Sequence, residues 1–169
     1  MRTIDNINDL NKSDFLLVFG NVFEKTESVA LEAFNSKPFK NFEDIMFKML
    51  NIYESYEKNK ILEILNAHPE LAVAKKMTSE SISEQASAKL NECSNDEYKE
   101  FKKLNSEYKE KFNFPFIIAV KGKDKNEILN NFRQRIQSDV KSEFLEAKRQ
   151  VKKIATFRLN EINKKWKNL

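Results

Sequence analysis

Two glycines and three prolines are all that 169 residues contain, where average usage of about 7% and 5% would supply about 20 between them. Sheet-rich folds need many tight turns, and turns draw on those residues, so a β-sandwich or barrel is excluded. A P-loop or Rossmann nucleotide site, each built on clustered glycines, is excluded for the same reason. Cys93 is the single cysteine, which rules out a disulfide framework and a cysteine-based zinc site. His68 is the single histidine, which removes every motif that needs two. No stretch approaches the roughly 18 consecutive apolar residues of a membrane span. The opening MRTIDNINDLNKSDF lacks the apolar core of a secretory signal, and the closing KNL is not a peroxisomal address. A cytoplasmic protein with reduced thiols and no membrane partner is expected. The fold expected is all-α, a single compact domain over 1–169 with about seven to nine helices.

Charge is plentiful and uneven. Residues 1–100 carry 12 Lys and Arg against 18 Asp and Glu, whereas residues 101–169 carry 18 against 8. A basic half suits an anionic substrate or nucleic acid. It equally suits a surface on which opposite charges solvate and attract each other.

Apolar spacing predicts a helix from Ser13 through Phe15, Leu16, Phe19, Val22 and Phe23, with Gly20 able to split it. A short helix over 27–34 stops before Lys37-Pro38. Asn41 caps a helix with Phe42, Ile45, Met46, Met49, Leu50 and Tyr53 on its apolar stripe. Another follows at about 56–66, and Pro69 comes three residues later. After a loop at 72–80, a helix is expected over about 82–92. Ser94 and Glu97 then form a capping box that opens a long helix with Phe101, Leu104, Tyr108 and Phe112. Residues 112–122 break the pattern, being almost continuously apolar with no strand to pair with. An extended or irregular buried segment is expected there. Helices over 126–137 and about 139–167 complete the chain, the last with Val140, Phe144, Ala147, Val151, Ile154, Ala155, Ile162 and Trp166 on one side.

Three positions interrupt this plain helical reading. His68 precedes Pro69, which holds it in an extended backbone, read here as an N-cap with Pro69 at the first helical position. Such an imidazole can do acid–base work near neutrality, or can simply cap or sit at the surface. Ser81 and Glu84 have capping-box spacing, and a Glu84 bonded back to the Ser81 backbone is less available to orient an imidazole. Arg158 falls on the apolar stripe between Ile154 and Ile162, where a guanidinium needs a carboxylate from the protein or from a ligand.

Taken in order, these blocks resemble the OHCU decarboxylases (2-oxo-4-hydroxy-4-carboxy-5-ureidoimidazoline decarboxylases) of the urate-to-allantoin pathway. The resemblance rests on His68-Pro69-Glu70-Leu71-Ala72, on Ser81-x-x-Glu84-Gln85, and on FKKLNSEYKEKFNFPFIIAVKG from Phe101 to Gly122. It continues through Glu127-Ile128-Leu129-x-x-Phe132-x-x-Arg135 and Ile154-Ala155-x-x-Arg158-Leu159. By position it implies His68 as the catalytic histidine, Glu84 as the carboxylate that orients it, and Arg158 as the arginine that holds a substrate carboxylate. It further implies Pro69, Ser81 and Gln85 as pocket residues, with Phe116, Ile117, Ile118, Ala119 and Val120 presenting backbone to the substrate ring. It implies an all-α homodimer that uses no metal or organic cofactor and binds the small molecule OHCU rather than nucleic acid. Glu70 replaces the family's usual Asp, Asn113 and Lys89 stand where glycine is common, and the loop between His68 and Ser81 is short. A small basic helical module that binds nucleic acid or a protein is the alternative.

Overall fold

A computed structural model describes residues 3–72 and 77–168, and among them helices account for all the regular structure. The fold is all-α. The chain divides into two compact units, one of residues 1–64 with 152–169 and one of residues 65–151.

The first unit is built from short capped helices. Thr3 and Asn6 cap α1 (Ile4–Asn8), an element with no apolar period long enough to announce it. The Asn11 side chain accepts the Asp14 N–H at 2.9 Å to open α2 (Lys12–Phe19). That helix ends at Gly20, where a Cβ would stand 2.5 Å from the Leu16 carbonyl oxygen. Val22 and Phe23 are buried outside it, so the predicted helix is shorter than its apolar pattern. α3 (Ser28–Phe34) and α4 (Phe42–Ser55) follow, the latter capped by Asn41 as predicted. Phe15 and Phe19 meet at 4.6 Å between ring centroids, and Phe23 stacks on Tyr53 at 4.8 Å. Fully burying each such side chain is worth about 1.5–3 kcal/mol. The unit takes most of α5 (Lys58–Ala67) and the last part of α9 (Val140–Lys167), whose Trp166 indole donates to the Thr3 carbonyl at 3.3 Å.

The second unit holds α6 (Ser79–Ser87), a 3-10 turn (Leu90–Glu92), α7 (Asn95–Phe112), α8 (Lys125–Arg135) and the start of α9. The Ser94–Glu97 capping box is present on α7, and a second box of the same kind, Asp124 with Glu127, opens α8. Residues 113–124 have no regular structure, and Phe114 to Val120 are buried, as the composition of this stretch implied. Asn113 ends α7 with φ 63°, a left-handed conformation that Asn tolerates, which accounts for an Asn where glycine is common.

Three further expectations change. Thr78, not Ser81, caps α6: its hydroxyl accepts the Ser81 N–H at 3.3 Å, so the helix begins one turn early and ends at Ser87. His68 does not cap a helix. It directly follows α5, its N–H donates to the Leu65 carbonyl at 3.2 Å, and the left-handed Ala72 (φ 51°) stops any helix after Pro69. Val140 is 55% exposed and so leaves the apolar side of α9. The predicted loop at 72–80 lies in part, at residues 73–76, outside the described residues.

Candidate active site

His68 is buried at the end of α5, followed by Pro69 and a turn at Leu71 and Ala72. Because residues 69–72 lack regular structure, their backbone groups need partners from elsewhere. Gln85 of α6 supplies two: its Oε1 accepts the Ala72 N–H at 3.1 Å, and its Nε2 donates to the Glu70 carbonyl at 3.2 Å. α7 and its C-cap supply more: residues 105 and 109 lie one turn apart on the helix, and Asn113 follows at its end. Asn105 Nδ2 donates to the Leu71 carbonyl at 2.9 Å, Lys109 faces the Glu70 carboxylate at 3.8 Å, and the Asn113 carbonyl accepts from Asn66 Nδ2 at 3.2 Å. The histidine turn is therefore laid along α7 and gripped from α6.

Ser81, Glu84 and Gln85 lie on one face of α6 by their three- and four-residue spacing. Ser81 and Gln85 are buried and Glu84 is half-buried, while Ile82, Ser83, Ala86 and Ser87 are exposed. The face carrying the three predicted residues is thus the one turned to the protein interior. With Thr78 as cap, Ser81 and Glu84 do not form the capping box that their spacing allowed.

The buried segment after α7 is held through its backbone. Arg135 Nη1 donates to the Ile117 carbonyl at 2.8 Å, and the Ala119 N–H donates to Gln150 Oε1 at 2.9 Å. Arg135 also packs 4.5 Å over the Phe116 ring, which stacks on Phe132 at 3.9 Å. A charge in this core requires neutralisation. Glu143 supplies it, accepting from Arg135 Nη2 at 2.6 Å and from the Tyr108 hydroxyl. Burial first, and then the Glu143 carboxylate, push the Tyr108 pKa up, so the phenol keeps the proton it donates. In the sequence, Tyr108 reads only as part of an apolar stripe and Arg135 only as part of a family block, and Glu143 is not singled out. Arg135 shares the stripe of Ile128 and Phe132, so the reasoning applied to Arg158 could have found it.

Arg158 belongs to the first unit. Its Nη1 lies 3.0 Å from Glu24 Oε2 and donates to the Asn21 carbonyl at 3.0 Å, and both charged side chains are buried. The internal ion pair anticipated as one of two readings is present. Basic residues of 101–169 are interleaved with carboxylates, as in Lys125–Glu97 at 2.8 Å and Arg133–Glu100 at 2.7 Å. Among the described residues no helix is long and apolar enough to cross a membrane, and no group of three or more His, Cys, Asp or Glu gathers as a metal site.

The structure is thus an all-α protein in which the turn carrying its single histidine is gripped by side-chain amides beside a helix that turns Ser81, Glu84 and Gln85 inward. Residues 8–160 match the OHCU decarboxylase family, and the chain belongs to that family. It is 38% identical over 99% of its length to the uric acid degradation bifunctional protein of Bacillus sp. (strain TB-90), of which it spans 34%. It is 35% identical over 94% of its length to the 2-oxo-4-hydroxy-4-carboxy-5-ureidoimidazoline decarboxylase of Haloferax volcanii, covering 95% of that protein. Its structure superposes with a TM-score of 0.72 on a crystal structure of (S)-allantoin synthase, at 25% identity over 95% of this chain and 54% of that one. The chain thus spans about a third of the bifunctional relative and about half of the allantoin synthase chain.

Proposed function

We propose that residues 1–169 act as one decarboxylase domain that converts OHCU to (S)-allantoin in urate breakdown, as a cytoplasmic homodimer without metal or organic cofactor. The observation that carries this reading is the grip of Gln85 on the turn after His68, because α6 also bears Ser81 and Glu84. The interleaving of basic residues with carboxylates favours a small-molecule enzyme over a nucleic-acid module.

In the reaction, the bond between the ring carbon and its carboxylate breaks and CO2 leaves. The electron pair moves from that carbon, C4, toward its neighbour C5 and is taken up by the ring C=N bond there, whose nitrogen gains a proton, so the substrate supplies its own electron sink and an enol remains across C4 and C5. The C4 hydroxyl gives up its proton as C4 becomes the ring carbonyl of allantoin, and one proton delivered to a single face of C5, the ureido-bearing carbon, gives one enantiomer. His68 moves the proton, Glu84 orients the imidazole, and Arg158 holds a substrate carboxylate through its guanidinium. Ser81, Pro69 and the backbone of residues 116–120 surround the ring. Gln85, whose amide already serves Glu70 and Ala72, keeps the wall in place. Positioned acid–base help of this kind contributes about 10²–10⁴-fold.

The test is to add the protein to freshly generated OHCU and follow both its ultraviolet decay and the optical activity of the allantoin formed. Accelerated decay with (S)-allantoin as the product, identified by its optical rotation against an authentic sample, is expected. Decay at the spontaneous rate with racemic product would overturn the proposal.

A further inference from the structure

Asn105 occupies a place on α7 where its pattern calls for an apolar side chain. Phe101, Leu104, Tyr108 and Phe112 flank it on the buried stripe, and Asn105 itself is 4% exposed. A buried amide costs stability unless both its ends are hydrogen-bonded. Only one end is: Nδ2 donates to the Leu71 carbonyl at 2.9 Å, whereas Oδ1 is buried with no hydrogen-bond partner among the described residues. Turning the amide over would set Oδ1 against the Leu71 carbonyl, two acceptors face to face, so this orientation is the favourable one. A leucine would remove the unsatisfied Oδ1 but would leave the buried Leu71 carbonyl without its donor, so the amide is kept for the backbone it serves.

The reason lies in what it holds. Three consecutive residues after His68-Pro69 are each gripped by a side-chain amide: Glu70 O and Ala72 N by Gln85, and Leu71 O by Asn105. Gln85 approaches from α6 and Asn105 from α7, so between them they do for this turn what a regular ladder does for a helix or strand. On the other side of His68 the chain is tied to α5 by its own N–H to the Leu65 carbonyl at 3.2 Å. We infer that Asn105 is a positioning residue for His68, holding the turn through the Leu71 carbonyl so that the imidazole keeps one orientation. The inference rests on the reading of His68 as the acid–base group, and its test separates the two.

His68 is the chain's one histidine, so a single imidazole resonance reports its environment without assignment ambiguity. Asn105→Leu keeps the branching and the number of side-chain heavy atoms and removes the grip. In that variant the imidazole resonance should shift or split, and kcat should fall roughly 10- to 100-fold, the scale of an ångström-sized misplacement. KM should change much less, and the cooperative melt should persist. If Asn105→Leu does not fold, Asn105→Ser, too short to reach Leu71, carries the same readouts. A folded variant with parent-like imidazole resonance and parent-like kcat overturns the inference. So does a loss of turnover that merely tracks the unfolded fraction while the resonance stays put. A fully active His68→Asn protein would sink the acid–base reading instead, and the imidazole shift in the Asn105 variants would still report positioning.

Discussion

Replacing Arg158 with Met should destabilise the protein by about 3–5 kcal/mol, the usual cost of taking one partner from a buried ion pair. Glu24 is 0% exposed and Arg158 7%, with the guanidinium nitrogen 3.0 Å from the carboxylate. The same nitrogen serves the Asn21 carbonyl at 3.0 Å, so the substitution also removes a donor from a backbone acceptor. Native proteins hold a margin of only about 5–15 kcal/mol. In chains of this length each kcal/mol shifts Tm by about 2–4 °C, so a fall of about 6–20 °C is expected. Glu24→Gln should cost a comparable amount, since it leaves the guanidinium facing a neutral amide. The double variant Glu24→Gln/Arg158→Met removes both charges and should recover most of the loss, because exchanging a whole buried pair for uncharged groups is often neutral. Turnover measured on the same four proteins separates the two roles of Arg158. If it also holds the substrate carboxylate, the double variant melts near the parent temperature yet stays inactive. Arg158→Lys should then restore little activity, a point charge being unable to reproduce the planar fork. A loss below about 1 kcal/mol in Arg158→Met, typical of an exposed pair, would refute the buried-pair reasoning. A double variant both stable and active would refute substrate binding.

His68→Asn should lower kcat by about 10²–10⁴-fold with the fold retained, and near-parent turnover would rule out the proton-transfer role. Glu84→Gln should lose much of its activity with little change in Tm, because Thr78 rather than the Ser81–Glu84 pair caps α6; an active but destabilised protein would contradict this. Lys89 is exposed and left-handed at φ 56°. The left-handed backbone costs a non-glycine residue about 1–2 kcal/mol and glycine's extra freedom gives back about 0.5–1, so Lys89→Gly should raise Tm by a few degrees; a lower Tm would count against that backbone. On the acid side, the Lys125 hydrogen bond holds Glu97 below its ordinary 4.5, and the Ser142 hydroxyl holds Asp139 below 3.8. Lowered carboxylates contribute stability that is fully present above their ordinary values and lost as pH falls through the folded ones, so urea stability should decline below roughly pH 4.5. Glu97→Gln should make that decline shallower, and an unchanged slope would remove Glu97 from the account.

Most helices were legible because their signals are local. Asn41 before Phe42, and Ser94 three residues before Glu97, declare helix starts through contacts made within a single turn. The apolar stripe of α7 and the unpaired apolar run after it needed only spacing and composition to read. The nearly glycine-free composition determined the all-α class, and the two main departures from the family's glycines, Asn113 and Lys89, fall on left-handed positions. Where two local signals competed, the tertiary structure chose: Thr78 and Ser81 offer equivalent hydroxyls, and the burial of Ser81 and Gln85 settles which turn begins α6. The same holds for His68-Pro69, where a helix start was locally permitted and the left-handed Ala72 ended it. The sequence marked Arg158 as a charge on an apolar stripe, but Glu24 as its partner was decided by the fold. Asn105 with Leu71, Gln85 with the backbone around it, and Arg135 with Glu143 and Tyr108 are decided in the same way. A cap or a stripe is written in residues three and four apart, whereas the partner of a buried polar group comes from whichever distant segment the packed core brings within hydrogen-bond reach.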